Sequence, residues 1–148
     1  MDQSATAKKD YQEKVKIYSP NSHLAADCVK AFIVGGLICV IGQLIMNGYQ
    51  GAGYTKDQTG MLTAITLIFI GTLLTGLGVY EKIGKFAGSG SVVPITGFAN
   101  SVAAPAIEFK KEGFIFGVGA KMFVIAGPVL VYGALASFVV GLVYYFFK

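Results

Sequence analysis

Long apolar runs without a single charge, each closed by a cluster of charges, set the pattern of this chain. Ala31 to Thr55 is uncharged, and its apolar core AFIVGGLICVIGQLIM, with its flanks, is long enough for a membrane-spanning helix of about 20 residues. The pattern predicts a first span over residues 31–49. Gly35, Gly36 and Gly42 in it are candidates for close helix contact, and Gln43 needs a polar partner, expected on a neighbouring helix. Residues 47–60, NGYQGAGYTKDQTG, read as a turn-forming loop whose charges, Lys56 and Asp57, cancel. Met61 to Tyr80 is again uncharged and predicts a second span over 61–80, ended by Glu81, Lys82 and Lys85.

The third uncharged segment, 86–107, reads FAGSGSVVPITGFANSVAAPAI. Its length would allow a span, but its composition opposes one. Proline removes a backbone donor and glycine loosens a helix, so a continuous lipid-facing helix through Gly88, Gly90, Pro94 and Gly97 is disfavoured. The segment is expected to be broken or re-entrant. After the polar patch Glu108, Lys110, Lys111 and Glu112 come FIFGVGA, Lys121 and the uncharged run Met122 to Phe147. One helix over 114–147 would exceed the roughly 30 Å hydrocarbon core at about 1.5 Å per residue. Gly127-Pro128 is the expected division, giving a half-helix over 114–126 and a last span over 128–147 that ends in Tyr144, Tyr145 and Lys148.

The fold class that follows is an all-α integral membrane protein: a polar tail over 1–30 and a single polytopic membrane domain over 31–148. Tyr11, Val15, Ile17 and Tyr18 would let residues 8–18 form a short interfacial helix with its lysines near anionic headgroups. The tail does not read as a signal peptide, because the apolar run begins too late and no cleavage site follows it. Its lysines, with Lys82 and Lys85, lie on one side and the neutral loop on the other, which predicts a cytoplasmic N-terminus. Two topologies stay open. Re-entry of 86–107 puts Glu108–Glu112 in the cytoplasm and Lys148 outside, and a full crossing reverses both.

Composition agrees with lipid as the solvent: 54% of residues are hydrophobic and 14% charged. The net charge of +4 comes from lysine alone, scattered or at the ends of apolar runs, which argues against nucleic acid as a partner. Cys28 and Cys39 suggest neither a disulfide framework nor a metal site. No catalytic constellation is present, so no enzyme activity and no cofactor are expected. GSGS at 88–91 lacks the Gly-Lys-Ser/Thr ending of a phosphate loop.

What the segment 86–107 offers is a break with polar side chains. Gly88, Ser89, Gly90, Ser91, Pro94, Thr96, Gly97 and Asn100 are candidates for a solute path, because discontinuous membrane helices present backbone amides and positive helix ends to anions. The alternative is that these glycines and serines only let helices pack tightly. Lys121 also has two readings: a cation on a solute path, or an interfacial lysine that snorkels to headgroups.

Three blocks, KAFIVGGLICVIGQ at 30–43, TGLGVYEKIGKFAGSGSVVPITGFANSV at 75–102 and KEGFIFGVGAKMF at 111–123, resemble the SpoVAC/SpoVAEb family. The length and polar tail resemble its AC branch rather than the shorter AEb branch. The resemblance implies a protein of the spore inner membrane, in a complex that moves dipicolinic acid, as its calcium chelate, into the forming spore and out again at germination. It implies as partners a SpoVAEb-type membrane paralogue and a soluble dipicolinate-binding SpoVAD-type subunit, and a channel that responds to membrane tension. A non-conducting scaffold that assembles the pore-forming paralogue and the soluble subunit is the rival expectation.

Overall fold

The structure is a computed structural model that describes residues 23–147, together with Lys8, Tyr11, Lys14 and Val15. The interfacial helix expected over 8–18 otherwise lies outside the described residues. All regular structure among these residues is helical: α1 (Leu24–Gly51), α2 (Lys56–Gly76), α3 (Val79–Ala87), α4 (Ser89–Val92), α5 (Ile95–Glu108) and α6 (Ala120–Phe147). A 3-10 turn, Phe109–Glu112, and a π-helical turn, Phe114–Gly119, join the last two. Three helical stretches, Leu24–Gly51, Lys56–Gly76 and Phe114–Phe147, are long and apolar enough to cross a membrane.

α1 and α2 form an antiparallel hairpin. The expected 47–60 loop shrinks to residues 52–55, turned by Gly53 at φ +90°. Thr55 then caps α2: its hydroxyl accepts from Gln58 N at 3.4 Å, and the Gln58 side chain accepts from Thr55 N at 3.1 Å. This reciprocal pair satisfies two of the orphan donors at a helix start, which is why α2 begins before the apolar run does. α1 begins earlier too, and its 28 residues outrun the hydrocarbon core. Its first turns carry the Asp27–Lys30 pair at 3.5 Å, suited to headgroups.

Two further boundaries differ from the sequence expectation. The second span stops at Gly76 rather than Tyr80. Gly78 adopts φ +69°, a left-handed conformation that glycine takes without penalty, and the chain turns into α3. That helix is amphipathic. Tyr80 and Ala87 are buried, while Glu81 and Lys85 pair in solvent, the Lys85 ammonium holding the Glu81 carboxyl below its usual range. The expected division at Gly127-Pro128 is absent, because α6 runs unbroken through Pro128. A proline costs a membrane helix one backbone bond that local adjustment can absorb. The irregularity sits earlier, in the π turn over 114–119, where Gly117 lies so close to Phe109 O that a Cβ would collide.

The segment 86–107 is broken, as its composition requires, at Gly88 (φ +53°) and between α4 and α5 at Pro94. Its direction follows from its contacts. Thr96 lies against Gly71 of α2, and Asn100 bonds to Thr75. Both indices rise together, so α5 runs parallel to α2 and returns to the end from which the segment entered. Glu108 accordingly lines one cleft with Gly78 and Glu81. The segment is a re-entrant hairpin, α1, α2 and α6 are the spans, and α6 starts on the side that carries His23 and Lys82.

Buried side chains are few and, apart from Tyr80 and Leu67, small, among them Thr63, Ala87, Ala99 and Ala126. Close backbone approach, not a bulky core, joins these helices, as expected where lipid removes the hydrophobic drive between them.

Candidate functional site

The re-entrant hairpin is held at its two glycine contacts. Gly90 abuts the backbone of Ala31 in α1 and, one turn further along the same helix, Gly35: a Cβ on Gly35 would lie 3.1 Å from Gly90 O. Gly97 abuts the carbonyls of Ser91 and Val92, which lets α5 fold back under α4. A Cβ at Gly90 or Gly97 would overlap main chain, so these are positions of close approach in fact. Gly42 touches the Leu67 side chain, whereas Gly36 has nothing within 4 Å. Gln43 finds its partner in its own helix, donating to Asn47 Oδ1 at 2.8 Å, and not on a neighbour as expected. One turn of α1 brings both amides together, so the pair satisfies itself locally.

Tyr80 closes the hairpin. Its hydroxyl donates to Ser91 O at 2.7 Å and lies 2.9 Å from Thr96 Oγ1, so one buried side chain of α3 holds both arms. Ser91 also bonds inward, its Oγ donating to Gly88 O at 3.0 Å. Thr75 Oγ1 lies 2.8 Å from both Gly71 O and Asn100 Oδ1, tying α5 to α2. Sequence reasoning took Tyr80 as the end of a span and missed this role. The available signal was Gly78: a glycine stop there puts Tyr80 on a separate helix, and a buried tyrosine hydroxyl requires a partner.

The candidate residues divide between two faces of the hairpin. Ser91, Gly97 and Asn100 line a cavity of about 250 Å³ with Tyr80, Ser101 and Glu108. Asn100 also borders a cleft of about 440 Å³ flanked by Glu81 and Glu108. Ser89, Gly90 and Pro94 line a shallow groove on the α1 side with Ala31 and Gly35, while Gly88 serves as the hinge and Thr96 is buried at the Tyr80 hydroxyl. Lys121, at the head of α6, places its ammonium 4.5 Å from the Phe109 ring centre, a cation–π contact. At the turn itself Val92 and Val93 are 63% and 83% exposed.

Comparison with known proteins agrees with the resemblance of the three sequence blocks. Residues 27–143 match the family model described as SpoVAC/SpoVAEB sporulation membrane protein. Stage V sporulation protein AC of Bacillus subtilis (strain 168) is 49% identical over 142 residues, covering 95% of each chain. No solved structure matches. With a match over most of its length and a full-length relative at this identity, the chain belongs to the SpoVAC/SpoVAEB family of sporulation membrane proteins.

Proposed function

We propose that this protein is a pore subunit of the forespore and spore inner membrane, carrying dipicolinic acid as its calcium chelate inward during sporulation and outward at germination. The observation that carries the reading is the exposed turn of the re-entrant hairpin. Non-helical backbone at membrane depth is tolerated where protein or a water-filled path covers it, and the turn is bare on this chain at Val92 and Val93, beside a half-buried Pro94. A ring of subunits, with the SpoVAEb-type paralogue among them, places that turn along a shared path. Membrane tension or the soluble SpoVAD-type partner then opens it, with the lysine-bearing N-terminal side in the cytoplasm.

The charge around Asn100 favours the chelate over the bare acid. The cleft beside Asn100 is flanked by Glu81 and Glu108, which repel a dianion at close range and tolerate a neutral calcium complex. Asn100 supplies an uncharged amide donor for its oxygens, while the Ser91 and Ser101 hydroxyls already donate to Gly88 O and Phe98 O. Lys121 stands near the same end of the molecule, at the start of α6.

Reconstitution in liposomes tests this. The chain together with its AEb-type paralogue is expected to release trapped calcium dipicolinate, and Asn100→Leu to reduce the rate roughly tenfold, the cost of one buried polar contact. Equal release with and without this chain would make it a scaffold for a pore built by the paralogue.

A further inference from the structure

The two spans of the hairpin do not close against each other along their whole length. On the side that carries α3 they part, leaving a groove of about 490 Å³ walled by α1 (Val34, Leu37, Ile38, Ile41) and α2 (Leu67, Ile70, Leu74). That is within the roughly 300–1,000 Å³ of ordinary ligand sites. α3 lies across its polar end and contributes Phe86 and Lys82 to the lining. Leu37 and Ile41 are half exposed, so the groove opens sideways onto the bilayer, not into water.

The charges at the mouth distinguish one occupant. Asp27 is paired with Lys30, and Glu81 with Lys85 at 2.6 Å. Among the described residues Lys82 forms no such salt bridge, and it is the one charged side chain in the groove lining. Lys30, already paired with Asp27, lies 5.7 Å from the Phe86 ring centre at the same rim. An apolar slot that opens to lipid and is bordered at α3 by the hydrocarbon stem of an exposed lysine, whose ammonium lies beyond the lining, is complementary to a molecule with a hydrocarbon tail and an anionic head. A dicarboxylate solute would leave the apolar walls unfilled, and an apolar helix would leave the Lys82 charge without a counterpart.

We propose that this groove holds an acyl chain of an anionic phospholipid, with its headgroup phosphate on Lys82. The lipid fills the gap between α1 and α2 and fixes α3 against the membrane surface, independently of what solute the protein moves.

The chain contains no tryptophan, so a single introduced one reports on its own surroundings. Phe86→Trp puts the reporter at the mouth of the groove. Phe32→Trp puts a control on an outward position of α1 that is 83% exposed. Each protein is reconstituted in vesicles of phosphatidylcholine and phosphatidylglycerol, with bromine on the acyl chains of one lipid or the other. Brominated phosphatidylglycerol is expected to quench the Phe86→Trp protein with a roughly fivefold preference over phosphatidylcholine, as one lysine near an anionic lipid supplies. The control should show no such preference, and adding Lys82→Gln should remove it. Equal quenching by the two lipids, or a preference that survives Lys82→Gln, overturns the proposal. Quenching of the Phe86→Trp protein well below the control by both lipids also overturns it, because a protein segment then fills the groove.

Discussion

The hydroxyl of Tyr80 lies within bonding distance of Ser91 O in one arm of the hairpin and Thr96 Oγ1 in the other. Tyr80→Phe keeps the ring and strands both oxygens in a buried place. A buried acceptor left unpaired costs about 1–3 kcal/mol, and hydrogen bonds within membrane proteins average nearer 0.6 kcal/mol because the unfolded state finds other partners. The expected loss is therefore about 1–2 kcal/mol, read as a lower thermal midpoint in detergent. Thr96→Val should lose less, since Tyr80 keeps Ser91 O. A Tyr80→Phe protein that melts with the parent would mean that the glycine contacts alone hold the hairpin. Those contacts leave no room to compensate, because Gly90 and Gly97 meet main chain and not the ends of flexible side chains.

At the scale of elements, Pro94 and Pro128 behave oppositely, and the surroundings explain why. Pro94 stands before α5 with extended backbone (ψ 165°), and α4 reaches it after only four residues. Pro128 lies inside a helix of 28 residues that continues through it. Pro128→Ala should therefore leave topology and transport unchanged, while Pro94→Ala removes the bar to a continuous helix and should lower spore dipicolinate severalfold. Normal dipicolinate content with Pro94→Ala would take the turn out of the path. The sequence made the break over 86–107 legible, because glycine and proline act locally on the backbone. It misassigned the division of 114–147 for the same reason: Gly127-Pro128 looks like the stronger breaker, yet the tight contact of Gly117 with Phe109 lies between residues eight apart, a spacing that local propensity does not register. Tyr80 was illegible on similar grounds, since its partners are eleven and sixteen residues away.

At the scale of the whole molecule, the parallel run of α5 along α2 decides parity. Thr96 beside Gly71 and Asn100 beside Thr75 require the segment to leave the membrane where it entered, so Glu108–Glu112 shares a side with Lys82, and α6 carries Phe147 to the other. Thiol labelling checks this without assuming which side is cytoplasmic. In a background with Cys28→Ser and Cys39→Ser, single Lys82→Cys, Lys110→Cys and Phe147→Cys proteins are placed in oriented vesicles and treated with a membrane-impermeant maleimide. Lys82→Cys and Lys110→Cys should label together, and Phe147→Cys only after the vesicles are opened, or the reverse in vesicles of opposite orientation. Labelling of Phe147→Cys together with Lys82→Cys, with Lys110→Cys on the opposite side, would require 86–107 to cross the membrane and α6 to return, which the Asn100–Thr75 bond forbids. The same arrangement leaves α6 exposed from Pro128 to Phe147, apolar on every side. A helix with so little of its surface buried by its own chain meets lipid or neighbouring subunits along its whole length.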